Sequence, residues 1–162
     1  MIDIIFLDVD GCMSDGGIYY TNSKEEIKKF NTKDGFGIVN WIKLGKKVAI
    51  ITGRKSNIVE YRAKELGIHY LIQNSKDKLS DAKEILKKEG LNFSSAAAIG
   101  DDLNDLKLLK AVKFSFKPKD AMNDIKTDIT LSKKGGEGAI REMIEIIIEK
   151  DDLKELWLKK WL

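Results

Sequence analysis

Short apolar runs return along this chain at intervals, and a stretch with helical spacing follows each of them. Ile4–Leu7 is read as a strand. Residues 17–20 and 27–31 flank the polar Asn22-Ser23-Lys24 and predict a hairpin. Helical spacing over 36–44 ends at Gly45, and the strand Lys47–Ile51 follows. Asn57–Leu66 is expected to be a helix capped by Ser56 and closed by Gly67, leading to a strand at 69–72. Lys78–Glu89 places Leu79, Ala82, Ile85 and Leu86 on one helical face before Gly90. A strand at Ala96–Ile99, a helix at 105–110, a strand at 112–115 and a helix at 138–148 complete the pattern. Such alternation implies an α/β fold, a doubly wound parallel sheet with helices on both faces. Residues 1–162 read as one domain, with a small hairpin insertion after the first strand and a helical tail at about 151–162.

Composition narrows the partners. The 29 basic and 26 acidic residues leave a net charge of +3, too balanced to argue for nucleic acid. No apolar stretch is long enough to span a membrane, and no basic region leads into an apolar run at the N-terminus. The single Cys12 allows no internal disulfide, so a reducing cytoplasm is expected.

Chemistry gathers at the predicted strand ends. The first strand runs into Asp8-Val9-Asp10-Gly11, and alternation puts both carboxylates on one side. Thr52 and Gly53 follow the second strand, Lys78 opens the helix after the third, and Gly100-Asp101-Asp102 with Asp105 follows the fourth. In a parallel sheet these groups share one edge, where ligands bind. Converging carboxylates there make a hard-oxygen site suited to Mg²⁺. A hydroxyl and an ammonium beside them suit an anionic substrate and phosphoryl transfer. No GxxxxGK[ST] string occurs, which excludes a P-loop.

DVDG, then ITG, then a lysine, then GDDLND resembles the haloacid dehalogenase superfamily of phosphatases over residues 4–141. The resemblance implies that Asp8 is the nucleophile and Asp10 the general acid/base, its backbone carbonyl a metal ligand. It implies that Thr52 holds the transferring phosphoryl group and that Lys78 neutralises its charge. Asp8, Asp10 and Asp101 would bind Mg²⁺, supported by Asp102 or Asp105. Residues 11–51 and 53–77 separate these motifs, and neither span holds a large cap domain. The strings around Asp34, residues 50–67, and KGGEGAIRE at 134–142 resemble the capless 3-deoxy-D-manno-octulosonate 8-phosphate phosphatases. That branch implies a phosphosugar acid substrate and a homotetramer. In it a neighbour's hairpin and the glycine-rich segment shape the pocket. Gly53, Arg54 and Asp34 would bind substrate, with Arg54 pairing to the sugar carboxylate. The matching position tends to be Glu in the sister 2-keto-3-deoxynonulosonate 9-phosphate phosphatases, which remain an alternative. A receiver-like, non-catalytic phospho-acceptor is a rival of another class. In receivers, however, Thr and Lys follow the acidic groups, whereas here they precede the second cluster.

Several residues are read as structural. His69 has no partner histidine, and Cys12 is read as a small packed residue. Arg62 is expected on the surface or in an interface. Leu153, Leu156, Trp157 and Trp161 form an apolar stripe expected to meet a partner subunit.

Overall fold

The computed structural model describes residues 1–159 and 161–162. Chain order runs β1 (Ile4–Leu7), the hairpin β2 (Tyr19–Tyr20) and β3 (Glu26–Ile27), α1 (Thr32–Lys43) and β4 (Lys47–Ile51). It continues through α2 (Asn57–Leu66), β5 (Tyr70–Ile72), α3 (Lys78–Glu89), β6 (Ala96–Ile99) and α4 (Leu106–Ala111). The last elements are β7 (Phe114–Lys117), β8 (Ile129–Thr130), α5 (Ala139–Lys150) and α6 (Lys154–Leu158). Six strands form one parallel sheet in the order β5-β4-β1-β6-β7-β8, with β1 between β4 and β6. The expected doubly wound α/β architecture is what forms, and the small hairpin is a separate antiparallel ribbon.

Alternation along the central strands divides the core. Ile5 and Leu7 of β1 join Val48, Ile50, Ala97 and Ile99 against α1, α2 and α5. Ile4 and Phe6 join Ala49, Ile51, Ala96 and Ala98 against α3 and α4. Because both faces are covered, β1, β4 and β6 are near-continuous apolar runs rather than alternating ones. Each fully buried isoleucine contributes about 1.5–3 kcal/mol, so these strands anchor the edge where the polar residues begin.

Several boundaries differ from the sequence expectation. Helix α1 starts at Thr32 rather than 36, because the Asn31 side chain accepts the Lys33 N–H at 2.8 Å. Its first turn is polar and carries no periodic apolar signal. Ser56 precedes α2 but makes no side-chain cap; its hydroxyl donates to Glu26 at 2.5 Å. The two-residue β8 escapes sequence reading because its pairing with β7 is wholly non-local. The apolar stripe of the tail divides. Trp157 is buried in the core of its own chain, with Arg141 over its ring at 5.7 Å, while Trp161 and Leu156 are half exposed. The glycine-rich segment packs behind the Asp8–Asp15 turn. The Gly136 N–H donates to the Cys12 carbonyl at 3.0 Å, and a Cβ on Gly135 would overlap the Gly11 carbonyl.

Candidate active site

The apolar run of β1 ends at Asp8, whose N–H donates to the Ile99 carbonyl of β6 at 3.3 Å. The chain then turns through Val9–Met13, with Gly11 at φ 93°, a left-handed conformation that favours glycine. Glycine is needed for a second reason: the Asp101 carboxylate lies where a Cβ on Gly11 would sit. The same turn brings Asp10 beside Asp8 and Asp101 along one cavity wall.

Lys78 enters from the first turn of α3, whose N-terminus Asp77 caps by accepting the Leu79 and Ser80 N–H groups. Its Nζ donates to Asp8 Oδ1 at 2.5 Å and to Asp105 Oδ1 at 2.5 Å. All three groups are buried. The other Asp105 oxygen accepts the N–H groups of Asp101 (3.1 Å) and Asp102 (3.2 Å). One carboxylate thus orients the lysine and shapes the loop carrying Asp101. Asp102 accepts the Leu103 N–H at 2.7 Å and faces the cavity. Thr52, just past β4, is 2% exposed and is held by its N–H bond to the Ile72 carbonyl at 2.9 Å. The cavity is about 180 Å³, lined by Asp8, Asp10, Thr52, Gly53, Arg54, Asp101, Asp102 and Asn104.

Electrostatics here call for a cation. Burial raises the Asp8 carboxyl, Lys78 opposes it, and the charges of Asp105 and Asp101 push it further up. Asp101 is raised to about 7, by burial first and then by Asp105 and Asp102. Burial alone would lower the Lys78 ammonium, but Asp8 and Asp105 outweigh it and raise it. The one ammonium of Lys78 does not balance Asp8, Asp101 and Asp105 together.

Comparison with known proteins now decides the family. A profile of the haloacid dehalogenase-like hydrolases matches residues 37–113. The 3-deoxy-D-manno-octulosonate 8-phosphate phosphatase KdsC of Escherichia coli is 39% identical over 149 residues, covering 91% of this chain and 79% of that protein. The crystal structure of the Moraxella catarrhalis phosphatase of that name superposes with a TM-score of 0.95 at 37% identity. It covers 99% of this chain and 94% of its own, and it contains a magnesium ion, a phosphate ion and a KDO molecule. The cobalt-bound Haemophilus influenzae phosphatase gives a TM-score of 0.88 at 35% identity, covering 93% of this chain and 90% of its own. The chain belongs to the haloacid dehalogenase-like hydrolases.

The donor set of this hydrolase fits Mg²⁺. Asp8 and Asp101 offer hard carboxylate oxygens, and the Gly11 turn admits the Asp101 carboxylate only because no Cβ intervenes. Cys12 Sγ lies with these oxygens in a group spanning at most 4.8 Å. Its thiol is nonetheless pushed well up by burial and by the charges of Asp8 and Asp101, so it stays a neutral packed group. His69 is likewise structural: its Nδ1 accepts the Val48 N–H at 3.3 Å.

Two sequence expectations fall elsewhere in the fold. Asp34 does not reach the cavity. It is 3% exposed and accepts the Arg141 N–H at 2.8 Å, with further N–H groups of Gly138 and Ile140 directed at it. The first N–H groups of a helix have no partner within it, and Asp34 accepts that of Arg141 at the start of α5. Arg62 lies partly buried, 18% exposed, outside the cavity. It lies over the Phe30 ring at 5.7 Å and donates to the Asn31 carbonyl at 3.5 Å and to Glu65 at 2.6 Å.

Sequence reading missed Lys28, Glu26 and Asn104. Asn104 lines the cavity. Lys28 donates to Asp10 Oδ1, and Glu26 accepts from Arg54 at 3.3 Å. The available signal was the two-residue period of the hairpin strand, which puts Glu26 and Lys28 on one side.

Proposed function

We propose that this hydrolase releases phosphate from 3-deoxy-D-manno-octulosonate 8-phosphate through a phosphoaspartate on Asp8. The observation that carries this reading is the Lys78 bridge between Asp8 and Asp105 beside Thr52 and Asp101. Similarity to phosphatases named for that substrate supports it. Asp8, Asp101 and the Asp10 carbonyl would hold Mg²⁺, which when bound offsets the charge of the phosphate and of the carboxylates. The ionised Asp8 attacks phosphorus, while Lys78 and the Thr52 hydroxyl hold the transferring group against charge repulsion. Asp10 gives a proton to the departing sugar oxygen and takes one from the water that hydrolyses the acyl phosphate. Asp105 holds Lys78 and the Asp101 loop, and Asp102 supports the cavity rim. Gly53 lets substrate approach the loop after β4, and Arg54 pairs with the sugar carboxylate.

The cavity is smaller than the about 300–1,000 Å³ typical of ligand pockets. It suits a phosphate better than an eight-carbon sugar acid. We infer that a neighbouring chain in a cytoplasmic homotetramer completes the site, each chain acting as one phosphatase domain. The hairpin shows Ile18, Tyr19, Tyr20 and Ile27 to solvent, an apolar surface suited to such contact. A phosphate-release panel over phosphosugars, with Asp8→Asn as the blank, tests the reading. The eight-carbon acid is expected to be turned over fastest, with chelator abolishing release. Faster turnover of the nine-carbon acid reassigns the substrate, and turnover by Asp8→Asn removes the nucleophile.

A further inference from the structure

The Lys28 side chain has no exposed surface, although it comes from a hairpin whose Tyr19, Tyr20 and Ile27 stand in solvent. A buried ammonium is costly unless it is paired. Here Nζ donates to Asp10 Oδ1 and lies 3.4 Å from Glu26 Oε1. Glu26 in turn accepts from the Ser56 hydroxyl at 2.5 Å and from Arg54 at 3.3 Å. Lys28 therefore takes one Asp10 oxygen on the hairpin side. The other, Oδ2, is the oxygen toward Arg54, 3.7 Å from its Nε, and Arg54 lines the cavity. A carboxyl at the end of a turn can rotate, and proton transfer requires hydrogen-bond reach of the reacting oxygen.

We propose that Lys28 is a positioning residue for Asp10: by occupying Oδ1 it fixes the carboxyl and leaves Oδ2 to exchange the proton with the leaving oxygen. This rests on the reading of Asp10 as the general acid/base. It differs from a hairpin staple, whose loss would disturb Arg54 and the sugar pocket but would treat alike two small esters, one alkyl and one aryl, that use neither. The Asp10 proton matters for an alkoxide leaving group and little for a nitrophenolate. Only steps up to departure of the leaving group enter kcat/KM.

The test compares kcat/KM for a small neutral alkyl phosphate and for p-nitrophenyl phosphate, neither of which carries the sugar carboxylate, in wild type, Asp10→Asn and Lys28→Met. Misplacing a reacting group by about 1 Å costs about 100-fold. Lys28→Met is therefore expected to lose about 30- to 100-fold on the alkyl phosphate and less than about 3-fold on the aryl ester. Asp10→Asn is expected to discriminate in the same sense. If Asp10→Asn slows both substrates equally, the acid/base reading itself fails. If Asp10→Asn discriminates while Lys28→Met slows both equally or neither, the Lys28 proposal alone is overturned. Circular dichroism melts accompany the kinetics. Should Lys28→Met not fold, Lys28→Arg, which keeps a cationic donor, is expected to discriminate in the same sense with a smaller loss. Equal losses in Lys28→Arg, or failure of both variants to fold, assign Lys28 to the hairpin's structure and overturn the proposal.

Discussion

At the scale of single residues, burial converts ordinary side chains into specialised ones. Lys78 differs from the chain's other lysines in its position at the first turn of α3, where Asp8 and Asp105 lie within 2.5 Å. Its place at the sheet edge was legible from its position after the third strand, although its second partner was not. Asp105 was legible only as a supporting acid. Its bridging of Lys78 and the Asp101–Asp102 backbone depends on a loop geometry that no spacing encodes. Arg54 is exposed enough to meet substrate, and Glu26 holds it over the cavity. The pair proposed between Arg54 and the sugar carboxylate is charge-assisted, and Arg54→Ala would remove an interaction worth about 1.5–3 kcal/mol. The expected loss in kcat/KM on the sugar acid phosphate is about 10- to 100-fold greater than on a neutral alkyl phosphate. Equal losses on the two would take Arg54 out of carboxylate recognition.

At the scale of elements, strands and helix starts were read well where a local signal existed. β1, β4, β6 and α3 have the expected bounds because their apolar runs and glycine stops are local in sequence. The α1 start and β8 were missed because a polar cap and a two-residue non-local pairing set them. Asp34 shows how an element can claim an acidic residue that resembles a site residue: it serves the N-terminus of α5. Burial raises its carboxyl from 3.8 to about 6 despite the N–H groups it accepts. The folded state therefore binds more protons than the unfolded chain between those values. Stability contributed by this group falls as pH rises from about 4 to about 6 and is flat above. Urea unfolding of wild type and Asp34→Asn across that range checks it. The wild type is expected to lose stability relative to the variant as pH rises, and parallel curves would show that Asp34 is not the cause.

At the scale of the whole molecule, the sheet edge gathers Asp8, Thr52, Lys78 and Asp101 from separate elements, while the hairpin presents apolar side chains outward. Among the described residues no helix is long and apolar enough to cross a membrane. The proposed tetramer predicts a mass near four chains of 18.3 kDa by light scattering. Replacing Tyr20, 64% exposed, and Ile27, 52% exposed, by Lys and Glu is expected to yield smaller species with a weakened KM for the sugar acid. A stable, fully active monomer would contradict a site completed by a neighbour. The succession of strands up to β6 along the chain and the acidic groups that end them were legible in sequence alone, because apolar runs and the residues that stop them are local facts. The order of the DVDG, ITG and GDDLND strings carried the resemblance to the hydrolase family. Only the tertiary structure decided that Asp105 braces Lys78, that Asp34 serves a helix, and that Lys28 reaches Asp10. Each of those depends on burial and on contacts between distant segments, and both arise only when the chain packs.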